Sequence, residues 1–413
     1  MWPRFRNPWW VVFGAVIGLL VCNGPVLAYT FGIFLKPITA DMGWQRGETS
    51  FALSIGSFIG SIAVPFLGLM MDRWSIRAVA LPGIAIYSLL LAVVGLSSHS
   101  FLVFTLLFGL AEATSAIQTP IAYAKAISAW FDRRRGRALG IAMAGIGIGA
   151  FIMPQLSEYL ILHIGWRGAY SVLAGLTLLI AFPAVALFIR EPGPGEGEYR
   201  RNRADGLPGL SLGEAAVTLR FWLLIPAFFL VAIAINGTVG HVVPLLTDHG
   251  LSPSAAAATM GLYGLATMTG RLTAGFLVDR IFAPYVAAVF FLAPISGFAF
   301  IASAAGVLPA VGVILMGLGL GTEIDLIAFL VSRYFGQKSF GRLYGCFFMV
   351  FGIGTAMGRY LGGVIYDVAH SYNPGLIGAG VSLVIAVALI TRLGPYIYPV
   401  EREEAGGLAP VRA

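Results

Sequence analysis

GLMMDR, residues 68–73, and GFLVDR, residues 275–280, have one pattern: a glycine, three apolar residues, an aspartate and an arginine. Each closes an apolar run of about membrane-spanning length. Working outward from them, other pairs keep the same order. Asn23-Gly24 matches Asn236-Gly237, and Trp130-Phe131 matches Tyr334-Phe335. Gly136-Arg137-x-x-Gly140 matches Gly341-Arg342-x-x-Gly345, and Gly147-Ile148-Gly149 matches Gly352-Ile353-Gly354. The offsets fall between 204 and 213 residues, about half of the 413-residue chain. The sequence is therefore a doubled unit, and repeated halves of apolar helices mark a protein that rocks about a central site.

Composition fits that reading. Hydrophobic residues make up 58% and charged residues 11%, with a mean hydropathy of +0.87. Soluble domains carry about 25% charged residues, so lipid must solvate most of this chain. The formal net charge of +7 sits in loops between apolar runs, which points to membrane orientation and not to nucleic acid. The two cysteines, Cys22 and Cys346, lie inside apolar runs and make no disulfide or metal framework.

Runs long enough to cross a bilayer occur near 9–35, 47–71, 77–97, 101–130, 137–162, 167–190, 219–247, 254–278, 284–305, 307–334, 341–366 and 374–398. The first is too long for a signal-peptide core and is read as a retained helix. The expected fold is an all-α membrane protein with twelve transmembrane helices in two pseudo-symmetric six-helix halves. The halves are 1–190 and 219–400. The Pro-, Gly- and charge-rich stretch 191–218 is a cytoplasmic linker, and 401–413 a polar cytoplasmic tail. With the N-terminus inside, the cytoplasmic loops hold most of the arginines, while the outer side holds Lys36, Arg46 and Arg167. That asymmetry predicts a multi-pass protein of the cell inner (plasma) membrane with both termini cytoplasmic.

The Gly-x-x-x-Asp-Arg pattern, followed in the first half by Arg77, resembles the loop signature of the major facilitator superfamily, and the resemblance covers essentially the whole chain. It implies gating by Asp72, Arg73, Asp279 and Arg280: acids at helix ends that pair with arginines in one state and release them in another. Helix packing and topology would equally account for these residues. The stretch YTFGIFLKPITADMGWQRGETSFALS, 29–54, and the run WFDRRRGRALGIAMAGIGIG, 130–149, resemble the monocarboxylate carrier and oxalate–formate antiporter branch. Gly270-Arg271 matches the place of that branch's substrate-binding arginine, and the branch also sets a basic residue on the helix of Arg359. There are departures. The first helix lacks the lysine of animal monocarboxylate carriers, and Thr267 stands where they have an aspartate.

A charge at the bilayer centre costs roughly 2.5–3.5 kcal/mol, so each one needs a partner or a wet cavity. Lys125, Arg271, Arg359, Glu112, Glu323 and Asp325 fall within spans. Lys125 is near the cytoplasmic end and can snorkel. Arg271 lies roughly 10 Å inside its helix. Its first-half counterpart is Val64, and that of Arg359 is Pro154, so symmetry demands neither arginine. A guanidinium matches a carboxylate as a planar fork. Arg271 is thus a substrate-anion ligand or a structural ion-pair partner of the tenth span, and Arg359 a second candidate. Two cations would suit a dicarboxylate, or one anion plus an internal acid. Glu323 and Asp325 are about 200° apart around their helix, so they face different ways. Each is a candidate proton carrier or half of a permanent salt bridge, and one should neutralise Arg271 or Arg359. Glu112 has no obvious partner in sequence.

In this superfamily the first, fourth, seventh and tenth helices line the cavity. Asn23 and Asn236 each adjoin a glycine and either bind solute or hold a bend. Tyr29, Gln118, Tyr123, His241 and Tyr263 are weaker lining candidates. Walker, dinucleotide-binding and zinc spacings are not recognisable, so no cofactor, metal or nucleic-acid partner is expected. The expected partners are the lipid bilayer, a small organic anion and a proton, with the chain acting as a monomer. The expected function is secondary active transport of that anion, a monocarboxylate, by proton-coupled symport or anion exchange. The alternative is proton-coupled export of neutral or amphipathic compounds.

Overall fold

The structure is a computed structural model that describes residues 7–97, 99–131, 135–192, 209–278, 280–303, 306–336 and 338–398. The side chains of 64–69, 71–73, 121, 128, 135 and 136 are not described, so the gating roles expected of Asp72, Arg73 and Asp279 fall outside the described residues. Most of the linker and the whole tail 401–413 do as well.

The first span is not one helix. α1 (Trp9–Leu20) leads into a π-helical turn, Gly24–Ala28, and then into α2 (Phe31–Met42). Pro25 has no N–H to continue the i→i−4 ladder. The ladder slips there, and Tyr29 N–H reaches Gly24 O at 3.0 Å. A π-helical turn therefore begins directly after Asn23. α3 (Arg46–Arg73) opens on a capping box formed by Gln45 and Glu48. α4 (Ile76–Gly95) follows. The fourth span is also broken, into α5 (Phe101–Ser115), a 3₁₀ turn and α6 (Pro120–Trp130). α7 (Arg135–Phe188) holds two passes divided at Gly165, whose φ of 70° is cheap only for glycine.

A short helix, α8 (Leu212–Ala216), precedes the second half. That half comprises α9 (Leu219–Asp248), α10 (Pro253–Val278), α11 (Ala283–Ser303), α12 (Leu308–Phe335), α13 (Phe340–Ala369) and α14 (Asn373–Thr391). α9 runs as one helix through Asn236. Gly237 lets the backbones of α9 and α13 touch, since a Cβ would lie 2.8 Å from Gly358. Among the described residues, nine helices are long and apolar enough to cross a membrane, one of them the 52-residue stretch that Gly165 divides. α3 and α10 are more polar but run 28 and 26 residues. Grouped in this way, the described helices are long enough for twelve passes, six before residue 190 and six after residue 218.

One buried apolar cluster is drawn from residues between Val11 and Ile189, and a second from residues between Ala215 and Leu393 together with Ile33. The two halves meet where α3 packs on α13 and α7 on α10. At one end they are pinned together. Asp248 receives both Nη atoms of Arg46, at 2.6 and 3.0 Å, and Lys36 Nζ at 2.6 Å. Asp367 accepts the backbone N–H groups of Arg46 and Gly47. Arg167 pairs with Asp41 in the last turn of α2. Toward the opposite end, Gly140, Gly275 and Gly345 have open space where a Cβ would stand.

Candidate functional site

Between the halves lies a cavity of about 950 Å³, counting its open mouth. Its more buried arginine is Arg359 on α13, 4% exposed. Arg359 Nη1 donates to Ser57 Oγ at 3.1 Å, and Ser57 Oγ donates in turn to Glu112 Oε1 at 2.5 Å. The chain of contacts runs from the second half (α13) to the first (α3, then α5). Glu112 is itself buried, and its Oε2 and the Arg359 Nε have no hydrogen-bond partner. Among the described residues no carboxylate lies within 4 Å of the Arg359 guanidinium. A buried cation held by one hydroxyl retains donors that a further acceptor could take.

The two asparagines play matching parts. Asn23 Nδ2 donates to Ser115 Oγ, tying the first span to the fourth. Asn236 Nδ2 donates to Glu323 Oε2 at 2.9 Å, tying the seventh to the tenth. Glu323 is fully buried and its other oxygen has no partner. All four residues of the two chains Arg359–Glu112 and Asn236–Glu323 line the cavity, as do Asn23 and Ser57.

Arg271 also lines it, but from the side. Its Nε lies 3.0 Å from Asp325 Oδ2, close for an ion pair but off-line for a hydrogen bond. Asp325 faces an adjoining space lined by Leu139, Met143 and Met268, which shares Tyr29, Thr267 and Arg271 with the main cavity. Glu323 and Asp325 thus face different spaces, as their helical spacing requires, and it is Asp325 that neutralises Arg271.

Other sequence candidates lie apart from the cavity. Gln118 is fully buried in the 3₁₀ turn, outside the lining, with both amide atoms unpaired. Tyr123 packs its hydroxyl on Gly18. Tyr263 is buried edge-on to Tyr29, with ring centroids 5.9 Å apart. His241 lines a separate crevice between α9, α13 and α14, and its Nε2 donates to Arg359 O at 2.7 Å, so it supports the arginine's backbone from behind. Each of these four is held by helix packing that the sequence does not display. Arg280 stacks on Phe276, 3.7 Å from the ring centroid.

Sequence reasoning overlooked Ser57, the residue that joins Arg359 to Glu112. A signal existed: Ser50, Ser54, Ser57 and Ser61 recur at spacings of four, three and four, which places four hydroxyls on one face of α3. Ser61 Oγ donates to Ser57 O at 2.7 Å and also lines the cavity.

Comparison with known proteins agrees with this architecture. The chain is 24% identical to Monocarboxylate transporter 13 of Rattus norvegicus over 93% of its own length and 88% of the relative's. It is 23% identical to the uncharacterized MFS-type transporter YcxA of Bacillus subtilis over 96% of both. Among solved structures, a bacterial homologue of the human lysosomal transporter Spinster, inward-facing and unoccupied, superposes with a TM-score of 0.72 at 17% identity, covering 95% of this chain and 98% of that one. The nucleoside transporter NupG superposes with a TM-score of 0.71 at 16% identity, covering 93% and 99%. The sequence profile of the Major Facilitator Superfamily matches residues 17–337. With a doubled set of membrane helices around a central cavity, this chain belongs to the Major Facilitator Superfamily of membrane transporters.

Proposed function

We propose that the protein carries a small organic anion, a monocarboxylate, by alternating access, with proton-coupled symport or anion exchange. The observation that carries this reading is Arg359: a guanidinium buried in the central cavity, held by Ser57 and not by an acid. Sequence put Arg271 first. The pairing of Arg271 with Asp325 favours Arg359 as the primary ligand. The resemblance to a relative named as a monocarboxylate transporter points the same way.

In this reading the pinned end, with Lys36, Arg46 and Arg167, is the outer face, and the cavity opens to the cytoplasm. The substrate carboxylate takes the Arg359 guanidinium as a bidentate partner and displaces Ser57. Glu112 then loses its link to the cation, and a proton on Glu112 keeps the site electrically neutral. The halves, 1–190 and 219–400, rock about this point on the linker 191–218, and the pins at the outer end break and re-form.

The test is uptake of labelled pyruvate, lactate, acetate and formate by purified protein in liposomes. Arg359→Gln should lower uptake by about 100-fold, with Arg359→Lys partly active, since removing a buried charge-assisted partner costs a few kcal/mol. Unchanged uptake in Arg359→Gln, or transport of neutral amphipathic compounds without any carboxylate, would overturn the reading.

A further inference from the structure

Two arginines in one cavity are more than a monoanion needs. Left free, the second would invite a second negative charge. The structure shows how Arg271 is occupied. α10 and α12 run side by side in the same direction, backbone against backbone. A Cβ on Gly317 would lie 2.6 Å from Tyr263 O, and one on Gly321 would lie 2.1 Å from Thr267 O. Both contacts pair residues 54 apart, and they recur every four residues, one helical turn. The next step of the same register is Arg271 with Asp325, and those side chains meet at 3.0 Å. The pair is thus built into the rigid packing of two helices of one half. It does not cross the surface along which the halves rock, whereas the Arg359–Ser57–Glu112 contact does.

The two arginines therefore differ in kind. Arg359 is held across the boundary between the halves, and Arg271 holds its carboxylate within one half. The Asp325 side chain is 47% exposed and the Arg271 side chain 22%, so the pair sits at the edge of open space and is not sealed in the core. We infer that Asp325 is a specificity-determining residue, an internal carboxylate that fills the place of a substrate's second acid group and restricts the carrier to monoanions. This inference rests on the organic-anion reading above.

The experiment measures uptake and thermal stabilisation with monocarboxylates (formate, acetate, pyruvate, lactate) and dicarboxylates of rising length (oxalate, malonate, succinate, glutarate). The proteins are wild type, Asp325→Asn, Asp325→Ser and the double variant Arg271→Gln/Asp325→Asn, all in liposomes. Wild type should take monocarboxylates and reject dicarboxylates. Either single variant should raise the ratio of dicarboxylate to monocarboxylate uptake by at least about tenfold, with a preferred chain length set by the gap between the arginines. The double variant, in which both charges of the pair are removed together, should lose that gain yet keep monocarboxylate uptake through Arg359. If wild type carries monocarboxylates but the folded single variants keep its ratio, the inference falls and the anion reading stands. If wild type already carries dicarboxylates equally well, or the folded double variant loses monocarboxylate uptake, the inference also falls. If wild type binds no carboxylate, the anion reading itself fails and takes the inference with it.

Discussion

The Asp367 carboxylate accepts the backbone N–H of Gly47 at 2.6 Å, so an acid at the end of α13 caps the first turn of α3 across the boundary between the halves. Its other oxygen takes Arg46 N at 3.1 Å. A helix N-terminus presents unsatisfied N–H groups and a partial positive charge, and an anion there stabilises it. Here the cap belongs to the other half, so it holds only while this end is shut.

Neutralising the latch should therefore shift the conformational balance. In Asp248→Asn/Asp367→Asn, the closed population at this end is expected to fall by about tenfold, given roughly 1–3 kcal/mol for charge-assisted contacts of this kind. Spin labels at the exposed Gln45 and His249, in a background with both native cysteines replaced, would report a longer distance in a larger fraction of molecules. An unchanged distance distribution would show that apolar packing alone closes the end.

Gly32 makes the same point through sterics. A Cβ there would stand 2.7 Å from Gly240 O, a backbone atom of the opposite half. Gly32→Ala should hinder closure of this end and reduce transport several-fold while leaving the fold intact, because alanine is the better helix former. Gly140→Ala, where nothing lies within 4 Å, is the control and should transport normally.

Glu112 should govern coupling and not binding. Glu112→Gln keeps the shape and the acceptor for Ser57 Oγ but cannot exchange a proton. Anion exchange between preloaded liposomes and medium should persist within a few-fold of wild type. Stimulation of net uptake by an acid exterior should disappear. A variant that still responds to the proton gradient would move the coupling role elsewhere, with Glu323 next to be tested.

The α10–α12 register should be sensitive to a single added side chain. Gly321→Val would drive a branched side chain into Thr267 O, 2.1 Å from the Cβ position. A loss of about 2 kcal/mol is expected from such overpacking, read as a lower midpoint in thermal unfolding. The Arg271–Asp325 contact should be lost with it, so residual transport in this variant should show the relaxed specificity of Asp325→Asn.

The broad fold was legible in the sequence because it depends on properties that neighbouring residues carry by themselves. Apolar runs must span the hydrocarbon layer, and arginines must collect on one side of it. The duplication shows in the paired Asp-Arg and Asn-Gly motifs. The break at Pro25 and the close approach at Gly237 needed the structure, since the same Asn-Gly signal gives a π-helical turn in one half and a backbone contact in the other. The site was legible as a set of residues and not as an arrangement. Arg359 meets Ser57 across 302 residues of chain, on helices of different halves, and Ser57 meets Glu112 across 55, on two helices packed within the first half. Sequence alone could say that a buried arginine requires a partner, because the cost of burying a charge is independent of fold. Only tertiary structure could say that Arg271 has a carboxylate of its own and Arg359 does not, because partner choice is set by helix register and by which half each helix belongs to.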